Sequence, residues 1–479
     1  MNKQFCIIFL LIFFSLFAIG SVEAKAVYSL YDLVNMANEQ SESIKIAKED
    51  VFIAKQEEKR TLAILLPRAT AYGSYNHREY QKGEFSSSNS NALGIAVNHR
   101  FSLNGKELIA LDITKRGTES KNFSLESIRA QYILQVIQAF YNILSAGKFY
   151  EIAKSDVQRL TMHKNAVQEK LNVGNVTKTD LLRAKAELSK ALTEREKAKN
   201  VLLQSRASLM NLVAVDKNFT LNPQDIYGLQ KYKCNPADIE SQTLQTRVEI
   251  KEAKKNLEIA DKTVKFKRND FWPSLSVEAG YRSSRVQSES SHSSLNSDTQ
   301  DGYITGELVF TLFDGGLKKA DEQQALANHR KAQQALALQK KRVALESESA
   351  FLDYEMAKST LNNLQDELRY AKETYMAVQM QFNYGMADSV DIMDANTLLV
   401  SSQRRISDAQ YKYYLSVIKL LYSKGELASF FLDHPDMTAY TAQHGTPESK
   451  NSRKSPVYNL LRFHCFDSLL YTALTKKIR

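Results

Sequence analysis

Gln381-Phe382-Asn383-Tyr384-Gly385, running on to Ser389-Val390-Asp391-Ile392-Met393-Asp394-Ala395, decides how this chain folds. One glycine there interrupts sequence that favours helix on both sides, which predicts the tip of a long helical hairpin. The phrase occurs twice. Lys170-Leu171-Asn172-Val173-Gly174 leads to Thr177-Lys178-Thr179-Asp180-Leu181-Leu182-Arg183-Ala184, so Asn172, Gly174, Asp180 and Ala184 recur 211 positions later as Asn383, Gly385, Asp391 and Ala395. The chain is an internal duplication.

Outward from each tip the sequence stays helical for an unusual length. Glu107–Val173 and Leu317–Tyr384 contain no proline, and at 1.5 Å per residue each would span about 100 Å. Leu125, Ile128, Tyr132, Val136, Phe140 and Ile143 recur at spacings of three and four, the stripe of helices that pack along one another. Return helices are expected over Thr179–Val213 and Ser389–Leu427. Before each long helix the period changes to two. Leu93, Ile95, Val97, Phe101 and Leu103 alternate with smaller or polar residues, and so do Leu275, Val277, Ala279 and Tyr281. This predicts a strand hairpin in each copy: Arg68–Arg78 with Leu93–Leu103 across a loop at Gly83–Asn91, and Leu275–Arg282 with Ile304–Leu312 across a loop at Ser283–Gly302. A helix over Tyr28–Leu66, stopped by Pro67, opens the first copy.

The ends read differently. Met1-Asn2-Lys3, the apolar run Phe5–Ile19 and small residues to Ala26 form a secretory signal peptide over residues 1–26, too short for a stable span. Cys6 lies inside the apolar run and not at its end, so no lipid attachment is expected. Cys234 and Cys465 are too few for a disulfide framework. The expected organisation is a first repeat over 27–215, a linker over 216–246, a second repeat over 247–434, and a tail over 435–479. Disorder is the first expectation for that tail, beside a surface-anchoring helix or an altered reading frame. The net charge of +10 fits a solvated helix surface plus a basic tail, not a nucleic-acid partner. No catalytic constellation, phosphate loop or metal-ligand pair occurs, so no enzyme activity, cofactor or metal is expected.

An exported chain with four strands and no apolar helical span can cross a membrane only by sharing a barrel, because an open sheet edge is costly in lipid. Three copies would supply twelve strands. The fold class is therefore mainly α with a small β part: long hairpins forming a trimeric α-barrel, four strands per chain completing a 12-stranded transmembrane β-barrel. The alternative is a periplasmic coiled-coil adaptor or scaffold with no barrel. The alternating strands favour the channel.

On the duplicated Asn-x-Gly-x5-Asp phrase, Leu312-Phe313-Asp314-Gly315-Gly316 after the last strand, and the order of elements, Tyr28–Leu432 resembles the outer-membrane efflux proteins. The resemblance implies a homotrimeric exit duct in the outer membrane with a long periplasmic extension. Such a duct would meet outer-membrane lipid, a periplasmic adaptor and an inner-membrane pump or ABC transporter, in a tripartite efflux pump or type I secretion system. It also implies an acidic selectivity ring at Asp391 and Asp394, which i, i+3 spacing puts on one helical face. Against the ring stands a capping box, Asp388-x-x-Asp391, like Thr177-x-x-Asp180; Asp394 has no such role, and its counterpart is Arg183. The entrance tips comprise Gly174, Thr179, Asp180, Phe382, Gly385 and Ala387. The family's latch would join Thr179 and Asp180 to a neighbour's tyrosine and arginine, but those positions hold Phe382 and Ala387, so the bonds that close this entrance must differ.

Overall fold

The computed structural model describes residues 26–79, 87–215, 217–222, 236–289 and 294–432. The signal peptide, the tail from 435 onward, and parts of the expected linker and loops lie outside them. In chain order the elements are β1 (Ala26–Tyr28), α1 (Leu30–Gln40), α2 (Glu42–Ile64), β2 (Arg68–Glu79), β3 (Ser87–Ser102), α3 (Lys106–Asn172), α4 (Lys178–Val213) and β4 (Phe219–Leu221). They continue with α5 (Pro236–Thr246), α6 (Val248–Arg268), a 3-10 turn (Asn269–Phe271), β5 (Ser274–Glu289), β6 (Ser294–Val309), α7 (Leu317–Asn383), α8 (Ser389–Ser423) and α9 (Leu427–Leu432). The two long helices are 67 residues each.

The sheet runs β2-β3-β5-β6, antiparallel throughout. Residues paired across an antiparallel ladder share a face, so the register divides the sheet cleanly. Ile95 lies opposite Tyr281, Val97 opposite Ala279, and Phe101 opposite Leu275; Ile304 and Leu308 extend the same rows onto β6. That face is mainly apolar, with His99 between Val97 and Phe101, and exposed, Ile304 by 82% and Ile95 by 62%. From Leu93 to Phe101 it runs about 27 Å along the strand at 3.4 Å per residue, or about 20 Å of height at the tilt of barrel strands, comparable with the roughly 25 Å apolar band of an outer-membrane barrel. The other face carries Asn98, Glu278 and Thr305 in one row and Gly94, Arg282 and Asp301 in another. A barrel-less scaffold has no use for such a sheet.

Helices form a layer one helix thick and four wide. Near the sheet the order is α2-α3-α6-α7; towards the tips it is α4-α3-α8-α7. A single layer buries little, so the upper part is laced by ion pairs between neighbouring helices: Lys262–Asp112 at 2.7 Å, Lys255–Glu119 at 3.0 Å, Arg116–Glu258, and Lys267–Asp321 at 2.7 Å. The densest apolar packing lies midway, where α1 covers α3 with Leu30, Leu33 and Val34, and where Ile137, Phe140 and Tyr141 are fully buried.

Several boundaries differ from the sequence reading. The helix expected over Tyr28–Leu66 breaks at Ser41, whose hydroxyl accepts from the Ile44 N–H and starts a new helix. Of the segments expected as loops, Ser283–Glu289, Ser294–Gly302 and Ser87–Asn91 are strand. Alternation vanishes there because both faces have left the apolar band, yet the ladder continues through Arg285–Asp298 at 2.7 Å and the Tyr281 hydroxyl donating to Gln300 at 3.1 Å. At the opposite end β6 stops at Val309, three residues early, because its partner Ser274 follows Pro273, which has no N–H to donate. The return helix expected to reach Leu427 ends at Ser423, before Gly425 at φ +76°. Within the expected linker, β4 pairs in parallel with β1, and α5 packs on α7.

Arg247, at the head of α6, ties three helices together with a side chain only 4% exposed. Its guanidinium donates to Glu249 at 2.8 Å, to Glu346 at 3.1 Å and to the Ser423 carbonyl at 3.2 Å, and it lies 4.9 Å from the Tyr422 ring centroid. Arg247→Ala leaves a largely buried carboxylate and the carbonyl end of α8 without partners. It should destabilise the fold by about 3–5 kcal/mol, read as a lower midpoint in thermal unfolding followed by circular dichroism. Arg247→Lys should recover only part, since an ammonium lacks the fork. An unchanged midpoint in Arg247→Ala would overturn this account.

Candidate entrance tips and acidic ring

The repeated phrase is a complete helix stop and restart. At the end of α3, Gly174 takes φ +79°, the Asn175 N–H donates to the Lys170 carbonyl at 2.9 Å, and the Gly174 N–H donates to that of Leu171 at 3.0 Å. Gly385, Met386, Gln381 and Phe382 repeat this geometry at the end of α7, with φ +76° and bonds of 2.8 and 3.2 Å. This is a Schellman stop, in which a left-handed glycine lets two otherwise orphan carbonyls be satisfied. Three residues later the next helix begins with a capping box. Thr177 accepts from the Asp180 N–H at 3.2 Å while the Asp180 carboxylate accepts from the Thr177 N–H at 2.9 Å; Asp388 and Asp391 do the same at 2.9 and 2.9 Å. The Asp180 carboxyl is held below its ordinary range chiefly by the Thr177 hydroxyl donating to it. Both aspartates of the phrase are therefore helix caps.

Beneath the turns lies a small apolar core shared by both hairpins: Val167, Leu181 and Ala184 from the first, Phe382 and Ile392 from the second. Phe382 is 2% exposed. Its ring lies 5.2 Å from the His163 ring and 4.0 Å from the Lys170 ammonium, which also bonds to the Phe382 carbonyl. Ala387 packs against the same core. At the two positions where the resemblance implies a latch to a neighbour, this chain thus turns its side chains inward. Thr179 is exposed, and Asp180 is half-buried and engaged by Thr177.

Asp391 and Asp394 are both exposed, one turn apart on α8. Ile392, Ala395 and Asn396 are buried on the other side of that helix, so the acidic face is turned away from the protomer's own hairpins. Asp391 has one carboxylate oxygen occupied by its cap. Asp394 has no side-chain hydrogen bond or ion pair among the described residues.

Sequence reasoning missed a set of polar ties between α3 and α8. Asn396 donates to Asp156 at 2.8 Å and accepts from Arg159 at 2.9 Å, and His163 Nε2 meets the Ser389 hydroxyl at 3.0 Å. The partners lie more than 200 positions apart, and nothing local marks them. The one signal was His163, a polar ring at an apolar-stripe position between Leu160 and Val167.

The chain matches the profile described as outer membrane efflux protein over residues 33–215 and 240–426, one match per repeat. It is 21% identical over 322 residues to the outer membrane protein TolC of Vibrio cholerae, covering 67% of this chain and 73% of that relative. It is 21% identical over 350 residues to the alkaline protease secretion protein AprF of Pseudomonas aeruginosa, covering 71% and 70%. Among solved structures, the Campylobacter jejuni CmeC outer membrane channel superposes with a TM-score of 0.73 at 19% identity, over 86% of this chain and 88% of that one. With the two-faced sheet, the duplicated hairpins and a match across most of both repeats, the chain belongs to the outer membrane efflux protein family.

Proposed function

We propose that this outer-membrane efflux channel works as a homotrimer, a passive exit duct that receives its cargo from a periplasmic adaptor and an inner-membrane pump or ABC transporter. One observation carries the reading: every lateral edge of the protomer is open. Among the described residues β2 and β6 each lack a strand partner on their outer side. Unpaired backbone groups cost several kcal/mol each in hydrocarbon, and four strands are too few to close on themselves. The helical layer is open at the same edges. On α7, Leu338, Leu345 and Leu352 stand about 60% exposed at seven-residue spacing, and on α2 so do Phe52 and Ile53. Joining β6 and α7 of one copy to β2, α2 and α4 of the next satisfies the ladder and covers these residues together. Three copies give twelve strands and a wall of twelve helices. The family is one of channels, not enzymes, and protein secretion and small-molecule efflux are both compatible with such a duct.

Analytical ultracentrifugation in detergent should give a trimer and no folded monomer. A stable, folded monomer would sink the architecture.

Asp391 and Asp394 are the candidate selectivity ring. Six carboxylates near a threefold axis would repel one another and favour cations at the mouth, against the chain's net positive charge. Asp391→Ala with Asp394→Ala should lower cation preference and relieve block by trivalent cations, while trimers still assemble. Losing the Asp391 cap should cost about 1 kcal/mol at one helix end, and losing Asp394 should cost nothing there. Reversal potentials in a salt gradient are the measurement. Selectivity unchanged in the double variant would leave Asp391 as a cap only and remove Asp394 from the site.

A further inference from the structure

We propose that His163 makes the entrance acid-sensitive: the neutral imidazole ties the first hairpin to the second through Ser389, and a proton on it releases that tie. This rests on the channel reading, since the tie matters only if the tips close a duct.

The face of α3 that meets the second hairpin is a ladder of contacts descending to the tip. Asp156 and Arg159 engage Asn396, His163 engages Ser389, Val167 enters the apolar core, and Lys170 reaches the Phe382 carbonyl. Any movement of the second hairpin away from the first must break these rungs together. Three of them rest on amide, guanidinium, carboxylate, ammonium and aliphatic groups, chemical types whose ordinary titration lies well away from neutrality. The fourth is an imidazole, which titrates near pH 6.5 in water.

His163 is 8% exposed. Nε2 lies 3.0 Å from the Ser389 hydroxyl, while Nδ1 is buried with no hydrogen-bond partner. A neutral ring suits this site, because the hydroxyl can donate to or accept from Nε2. An imidazolium does not, since it carries two N–H donors and finds one oxygen.

The groups around it also oppose a positive charge. From α3 itself Lys170 is the cation that acts on the ring, and Arg159, one turn away, is already paired with Asp156. From α8, Ser389 is the first helical residue, so the ring faces the positive end of that helix. The Asp388 and Asp391 carboxylates there are turned to the backbone N–H groups they cap. From α7 come the Phe382 ring, whose carbonyl is taken by Lys170, and Tyr375 beside the core. From α4 come Leu181 and Ala184, with Asp180 bound to Thr177. None of these carboxylates bonds to the imidazole. Burial, then Lys170, hold its pKa below the ordinary value.

The direction follows by linkage. When the hairpins part, the ring meets water and regains its ordinary pKa near 6.5. Above that pH neither state binds the proton and the tie is fully present. As pH falls below about 6.5 only the parted state takes it up, so the ratio of closed to parted falls by up to about tenfold per pH unit in each protomer. Carboxylates ordinarily titrate near pH 4, so a window from pH 7.5 to 5.5 keeps them out of the response, and comparison with a His163 variant separates this imidazole from the chain's other histidines.

The test is single-channel conductance of the full-length trimer in planar bilayers at pH 7.5 and 5.5, for wild type and His163→Gln. Glutamine can keep a hydrogen bond to Ser389 but cannot titrate. Wild-type conductance should rise on acidification, and the variant should stay at the neutral-pH value. An equal rise in both, or a measurable wild-type conductance that does not rise, overturns the proposal. A second measurement needs no variant: hydrogen exchange of wild type, corrected for the intrinsic pH dependence, should lose protection across residues 382–399 at pH 5.5. Protection retained there also overturns it. If no conductance is seen at any pH, the channel reading fails, and the exchange result alone decides whether the tie is acid-sensitive.

Discussion

An open sheet edge cannot rest in hydrocarbon. Each backbone N–H and C=O left bare in lipid costs several kcal/mol, with no water to take its place. The four-stranded sheet has a mainly apolar, exposed face and, among the described residues, no strand partner outside β2 or β6, so in the trimer we propose this one constraint would make assembly part of folding. The rest of the protomer is arranged accordingly. The sheet is four strands wide and the helical layer beneath it four helices wide, and the chain crosses from strand to helix at the same places, through Pro67 and Pro273 on one side and Gly105 and Gly316 on the other.

A wall one helix thick has no deep interior, and this explains much of the composition. With a quarter of its residues charged, the chain holds neighbouring helices together by half-exposed ion pairs, each worth little singly but repeated from Lys121–Asp50 to Arg268–Glu322. Apolar side chains concentrate at two levels. One is the midpoint, where α1 covers the wall and Arg247 clamps α6, α7 and α8. The other is the small core under the tips. Between them, contacts such as Asp156–Asn396–Arg159 are polar and specific.

The tips show how two roles share one short phrase. Gly174 and Gly385 stop one helix, and Asp180 and Asp391 start the next, so the phrase recurs because hairpin geometry needs it in both copies. What differs between copies is what the geometry leaves free. Arg183 in the first repeat stands where Asp394 stands in the second, and Phe382 fills a core that a surface latch residue would leave open. The acidic face and the buried aromatic are properties of the second hairpin alone.

By itself the sequence determined everything governed by local spacing. Glycine between two helical runs set the tips, period-two apolar residues set the membrane-facing parts of the strands, and the repeated phrase set the twofold plan that the family profile then matched repeat by repeat. Local rules failed where solvent lies on both faces. The polar strand ends at Ser283–Glu289 and Ser294–Gly302 read as loop because alternation needs an apolar side, and only cross-strand partners such as Arg285–Asp298 reveal the ladder. Tertiary structure alone decided which side chains meet across the two hairpins. His163 and Ser389 are 226 positions apart, and Phe382 could be placed inside the protomer only once α3, α4, α7 and α8 were brought together. Burial and partner identity arise from the packing of distant helices, and no spacing along one helix encodes them.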